Sequence, residues 1–198
     1  MNRNLKAFLR EDEVVEWRSA PYQISLLDAD TNTPLIRRWV VTALVTLTLL
    51  TGYAARFEVN RYLVLWVLCG AGYSILSPLL EFREIRKFHR YYLTNQRAIF
   101  ATRDAAYYYM NYGDIDAIKE ITGLSGQTSL VMGSCLFEKA EKQLRRLARY
   151  PREDLRPDIP RNCVAGMIFY QPKDAETACT LLRSHMRAEQ AAYHPVVA

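Results

Sequence analysis

Glycine and histidine are scarce in this chain, with 8 and 3 among 198 residues. No GxGxxG, Walker-type or GxSxG segment is present, so there is no glycine-rich loop to cradle a phosphate and no nucleophile elbow. His89, His185 and His194 lie far apart and none belongs to an HExxH pair, so a metal centre is not expected. Cys69, Cys135, Cys163 and Cys179 form no CxxC pair and are expected to be reduced, small and buried. Asp114 and Asp116 are the nearest approach to an acid–base couple, but spacing by two along a strand places both on a solvated face. The first 30 residues hold no apolar core of signal-peptide length, so no cleaved leader is expected. No catalytic residue, cofactor or metal is expected, and nucleic acid is not an expected partner.

Charge is missing altogether from two stretches, residues 39–55 and 62–80. As helices rising ~1.5 Å per residue they reach ~26 and ~29 Å, close to the ~30 Å hydrocarbon core of a bilayer. The chain is therefore expected to be a membrane protein, with the lipid bilayer as its solvent and the first span as an uncleaved anchor. A mean hydropathy of −0.15 conceals this by averaging the spans with a polar remainder. Residues 56–61 are too few for a domain, so the spans should form an antiparallel hairpin with both termini on one side. Arg37 and Arg38 precede the first span and Arg83, Arg86, Lys87 and Arg90 follow the second, against only Arg56 and Arg61 in the tip. Cations concentrate on the cytoplasmic side of membrane helices, so the termini are expected there. Trp39, Tyr53 and Tyr62 suit the interfacial belt, whereas Trp66 and Tyr73 lie deeper and are expected to face the partner helix. Gly70 and Ser74 form a small-xxx-small pair that permits close helix approach, within the hairpin or to a larger complex.

Residues 1–36 read as one strand around residues 14–17, ended by Ala20-Pro21, then a polar connector through Asp28, Asp30, Asn32 and Pro34. Residues 37–90 comprise the hairpin and a charged helical continuation of its second span, and residues 91–198 the main folded part. That part opens with strands at 91–93 and 97–102 about a turn at Thr94-Asn95-Gln96, then a strand at 107–111. An extended or partly turned stretch passes through Ile115, Ile118 and Ile121, followed by strands at 129–132 and 162–170. After Pro172, the residues Ala175, Ala178, Cys179, Leu182 and Met186 recur at helical spacing. Short antiparallel strands closed by one amphipathic helix are the order of a small, partly open β-barrel with a helical cap. The expected fold class is α+β, a two-helix transmembrane hairpin plus this capped barrel.

The segment Tyr91-Tyr92-Leu93-Thr94-Asn95-Gln96-Arg97-Ala98-Ile99-Phe100 resembles the Y-x-[LI]-T-[ND]-x-R hairpin of bacterial pleckstrin-homology-like (PH-like) membrane proteins. Glu11-Asp12-Glu13-Val14-Val15-Glu16-Trp17-Arg18-Ser19-Ala20-Pro21 is similar to that family's opening, and Ile168-Phe169-Tyr170-Gln171-Pro172-Lys173-Asp174 to its last strand and cap. The resemblance implies a PH-like fold that binds rather than catalyses, held at the inner (cytoplasmic) membrane of a bacterium. It does not extend over residues 134–161. There Phe137, Ala140, Leu144, Leu147 and Ala148 share one helical face, while Lys139, Lys142, Arg145, Arg146 and Arg149 crowd the others. This insert reads as a basic amphipathic helix with a return through Pro151, Pro157 and Pro160.

Those five cations are candidate contacts for lipid or a partner. Arg97 either forks onto a carboxylate or phosphate or braces the hairpin. Among Tyr107, Tyr108, Tyr109 and Tyr112 some must point inward, and Tyr107 and Tyr109 are taken as a candidate partner surface. The expected function is a non-enzymatic, membrane-anchored module that docks or helps assemble a membrane protein complex at the cytoplasmic face. Two alternatives stand beside it. One is recognition of anionic lipid headgroups, at ~1 kcal/mol per suitably placed cation. The other is service as an accessory subunit of a membrane enzyme or transporter, since spans without an intramembrane acid or base build no ion path alone.

Overall fold

A computed structural model describes residues 3–22, 29–103, 106–153 and 160–193. In chain order the helices are α1 (Arg3–Phe8), α2 (Ala29–Ala54), α3 (Arg61–Phe88), α4 (Phe137–Leu147) and α5 (Ala175–Tyr193). The strands are β1 (Val15–Ser19), β2 (Arg90–Thr94), β3 (Arg97–Ala101), β4 (Tyr107–Asn111), β5 (Ile118–Thr122), β6 (Thr128–Met132), β7 (Arg152–Glu153) and β8 (Val164–Phe169). The chain divides into two compact units, Ser25–Arg83 and the combination of Met1–Ile24 with Glu84–Ala198.

The unit Ser25–Arg83 holds α2 and most of α3, two helices long and apolar enough to cross a membrane. Polar contacts join them: Arg38 Nη2 donates to Ser77 Oγ (2.8 Å), Trp39 Nε1 to the Ile75 carbonyl (3.2 Å), and Thr42 meets Ser74 (3.3 Å). Thr46, Thr48 and Thr51 return their hydroxyls to carbonyls of the preceding turn, satisfying groups that an apolar solvent would leave unpaired. Asn60 starts α3 by accepting the Tyr62 N–H (2.9 Å). α2 begins at Ala29, so Asp30, Asn32 and Pro34, read as a connector, lie in the helix, while Asp28 falls outside the described residues. Trp66 and Tyr73 do not face the partner helix; they are 79% and 72% exposed. Gly70 has nothing within 4 Å of a Cβ built on it, so of the small pair only Ser74 touches α2.

The other unit is built from two four-stranded antiparallel sheets, ordered β1-β2-β3-β4 and β5-β6-β8-β7. No barrel closes among the described residues. Isolated bridges pair Tyr109 with Cys163 and Pro21 with Pro172 where the two sheets meet. A 3-10 turn at Tyr112–Asp114 interrupts the extended chain after β4 and redirects it into the second sheet. It also takes Asp114 out of any strand. Asp116 precedes β5 and instead accepts the Ser134 N–H (2.9 Å) and hydroxyl.

Between the sheets lies the main core, where Trp17 stacks on Phe169 (6.0 Å between centroids) and Tyr91 on Phe169 (4.7 Å). α5 closes it with Ala178, Cys179 and Leu182. Alternation along the strands sends Leu93, Phe100, Met110, Leu130 and Met132 inward and Tyr92, Ile99, Tyr109 and Val131 outward, yet the outward residues are buried too. Each sheet is covered on its second face. α1, which sequence reasoning passed over, lies on the first sheet through Leu5 and Phe8. On the second, the 3-10 turn Ser134–Leu136 that leads into α4 sets Leu136 so closely on Gly166 that an added Cβ would stand 2.7 Å from it. Cys163 and Cys179 are buried, but Cys135 and Cys69 are exposed, contrary to the expectation for all four.

Candidate functional site

The hairpin motif proves to be a folding device. Thr94 Oγ1 accepts the N–H groups of Gln96 (3.2 Å) and Arg97 (3.0 Å) across the β2–β3 turn, and Asn95 Oδ1 takes the Val14 N–H (2.9 Å). Arg97 forks onto Glu13, Nε to Oε1 and Nη2 to Oε2, both at 2.9 Å, and donates a further bond from Nη2 to the Phe8 carbonyl. Thr94 Oγ1 lies 2.8 Å from Glu13 Oε1 and the Arg10 N–H 2.7 Å from Oε2, so each carboxylate oxygen has two donors. Burial alone would raise the Glu13 carboxyl; the hydrogen bonds from Arg97, the Arg10 amide and Thr94 outweigh it and hold the pKa below its ordinary value. The Arg97 guanidinium stacks over Tyr109 (4.4 Å) and Phe8 (4.8 Å). It is buried and fully engaged, so it braces the fold and is withdrawn from the candidate surface contacts.

Tyr107 and Tyr109 are withdrawn for the same reason. Both are buried beneath α1, Tyr107 stacked on Phe8 at 5.1 Å with burial raising its phenol pKa. The signal missed was the i, i+3, i+4 spacing of Leu5, Phe8 and Leu9.

Helix α4 carries Lys139, Lys142, Arg145 and Arg146, and Arg149 follows its end. Its regular course breaks at Gln143 (φ −139°, ψ 35°), so the amphipathic stripe is not continuous. Arg149 pairs with Glu84 at 2.6 Å, and Tyr150 donates to the same carboxylate at 3.1 Å. Arg145 is half-buried, whereas Lys139, Lys142 and Arg146 are exposed. Lys119 of β5 reaches across to Glu141, tying the helix to its sheet. Within the insert, β7 pairs with β8, a strand where the sequence suggested only a proline-rich return.

A cleft that sequence reasoning did not identify lies where four separated segments meet. Arg10, the turn Asn95-Gln96, the Asn111–Asp114 stretch and the last turns of α5 enclose about 890 Å³. Its walls are held independently of any ligand. The Tyr112 hydroxyl donates to the Thr94 carbonyl (2.5 Å), its ring stacks on His185 (4.7 Å, 10° between planes), and His185 Nε2 meets Glu16 at 2.7 Å. Asn111 Nδ2 donates to Asp114 (2.7 Å), and Arg10 approaches Asn111 Oδ1 (3.4 Å) while lying over Tyr109. On α5, Glu189 sets its carboxylate against Gly113, and its Oε2 is buried without a hydrogen-bond donor. No group of three His, Cys, Asp or Glu side chains able to hold a metal converges among the described residues.

Comparison with family models, with curated proteins and with solved structures returns no match for this chain.

Proposed function

We propose that this chain is a non-enzymatic, membrane-anchored module whose folded unit docks or helps assemble a membrane protein complex. The observation that carries the reading is the exposure of its long helices. Only 6% of the apolar window in each of α2 and α3 is buried, leaving Leu44, Leu47, Leu65, Trp66 and Leu76 bare. An apolar surface of that extent needs hydrocarbon around it, and the charge-free runs of ~26 and ~29 Å within these helices match a bilayer core. The folded unit reads as PH-like on the resemblance of its hairpin and opening segment. A bacterial inner membrane, two spans and cytoplasmic termini follow from that resemblance and from the cations flanking the hairpin. Purification of the full chain from native membranes in mild detergent tests the reading: a discrete complex with another membrane protein supports it, and a chain that elutes alone with lipid refutes it. In a cysteine-free background, Asn60→Cys should react with an impermeant maleimide in intact cells and Glu11→Cys should not.

The exposed Lys139, Lys142 and Arg146 favour anionic headgroup contact as a second reading. Phosphatidylglycerol nanodiscs should then slow hydrogen exchange in α4 relative to phosphatidylcholine ones, more at low salt than at high, and joint replacement of the three cations by Gln should abolish that difference.

A further inference from the structure

The cleft differs from the rest of this protein in the sign of its charge. The chain carries a net +5, yet two carboxylates, Asp114 and Glu189, line the cleft, and a third, Glu16, stands behind His185. Arg10, the lining guanidinium, is already drawn to Asn111 and the Tyr109 ring. Glu189 packs Oε2 against Gly113 without a hydrogen-bond donor among the described residues, so its carboxylate forms part of the cleft wall. Around these acids the walls present the side-chain amides of Asn95, Gln96, Asn111 and Gln190, which both donate and accept. Amides match the alternating N–H and C=O groups of an extended peptide, whereas carboxylates repel a lipid phosphate. The volume lies within the range of ligand sites, and the Tyr112–His185–Glu16 and Asn95–Val14 bonds keep the cleft open before anything binds.

We propose that this cleft receives a basic peptide segment of the docked protein, an arginine or lysine side chain answering Glu189 and Asp114 while the amides hydrogen-bond its backbone. The proposal deepens the docking function above and rests on it.

The test uses the full chain in phosphatidylcholine nanodiscs and two fluorescein-labelled probes, Gly-Arg-Gly-Arg-Gly and Gly-Glu-Gly-Glu-Gly, read by fluorescence anisotropy. The arginine peptide should bind and the glutamate peptide should not. Glu189→Gln and the exposed Asp114→Asn should each weaken binding about tenfold, while Glu138→Gln on α4 should leave it unchanged. Asp114→Asn removes no buried contact, so a folding defect cannot mimic its effect. Failure of the arginine peptide to bind, or equal loss with Glu138→Gln, overturns the proposal. Loss of peptide binding in phosphatidylethanolamine nanodiscs also overturns it, since the cleft then takes a lipid amine. Copurification from native membranes separates the two ideas: a complex retained by Glu189→Gln and Asp114→Asn leaves docking standing and removes the cleft from it. A wild-type chain that binds the peptide but copurifies with nothing does the reverse.

Discussion

Replacing Arg97 by Met tests whether the hairpin motif holds the fold together. Side chains of Arg97 and Glu13 are 4% and 0% exposed, so the substitution strips a buried carboxylate of two of its four donors. Breaking a buried pair from one side costs about 3–5 kcal/mol, a large share of the ~5–15 kcal/mol that stabilises a typical domain. With a urea dependence of about 2 kcal/mol per molar, the midpoint should fall by about 2 M. The pH dependence should also weaken. In the native protein the Glu13 pKa is lowered, so its contribution is present above the ordinary carboxylate range and is lost as pH falls through the folded-state value. Without Arg97 the hydrogen bond and the charge that oppose burial are gone, so the Glu13 pKa should rise and its share of the acid sensitivity should shrink. Adding Glu13→Gln should recover part of the loss, because a neutral amide costs less to bury than an unpaired carboxylate and its one oxygen still accepts from either Thr94 or the Arg10 N–H. The assay is urea denaturation of the full chain in detergent, with Trp39 and Trp66 replaced by Phe so that Trp17, stacked on Phe169, reports on the core. A midpoint within about 0.5 M of the parent and an unchanged pH slope would refute the brace.

His89, buried with its ring edge on Phe100, has its pKa lowered to about 4 chiefly by burial, with Glu84 opposing and Arg149 and Arg90 assisting. Its neutral form is favoured in the fold, so stability should be full above pH 6.5 and fall by ~3 kcal/mol on acidification to pH 4; His89→Phe should flatten that slope in denaturation curves. Gly133→Ala forces an alanine to φ +92° with its Cβ 2.5 Å from the Ala165 carbonyl, and thermal unfolding should show a loss of at least ~2 kcal/mol. Leu5→Ala removes the 2%-exposed anchor of α1, and hydrogen exchange should speed at residues 3–8 while the β3 amides stay protected; equal acceleration in both would mean that α1 is integral to the sheet.

What is local in this protein can be read from its sequence. Two charge-free runs announce α2 and α3, because a helix in hydrocarbon needs only length and apolarity. The β2–β3 hairpin and α5 are equally legible, one through a turn at Asn95 and the other through the spacing of Ala178, Cys179 and Leu182. The tertiary structure decided everything that depends on what covers a surface. Tyr109 and Arg97 look alike in sequence whether they meet a partner or α1, and only packing shows that α1 takes them. Trp66 and Tyr73 point away from α2 because helix phase, not depth along the span, sets which side chains face inward. The cleft draws its walls from Arg10, Asn95, Asn111 and Glu189, nearly 180 residues from first to last. No spacing rule links positions so far apart; the sheets and α5 bring them together by burying a shared core.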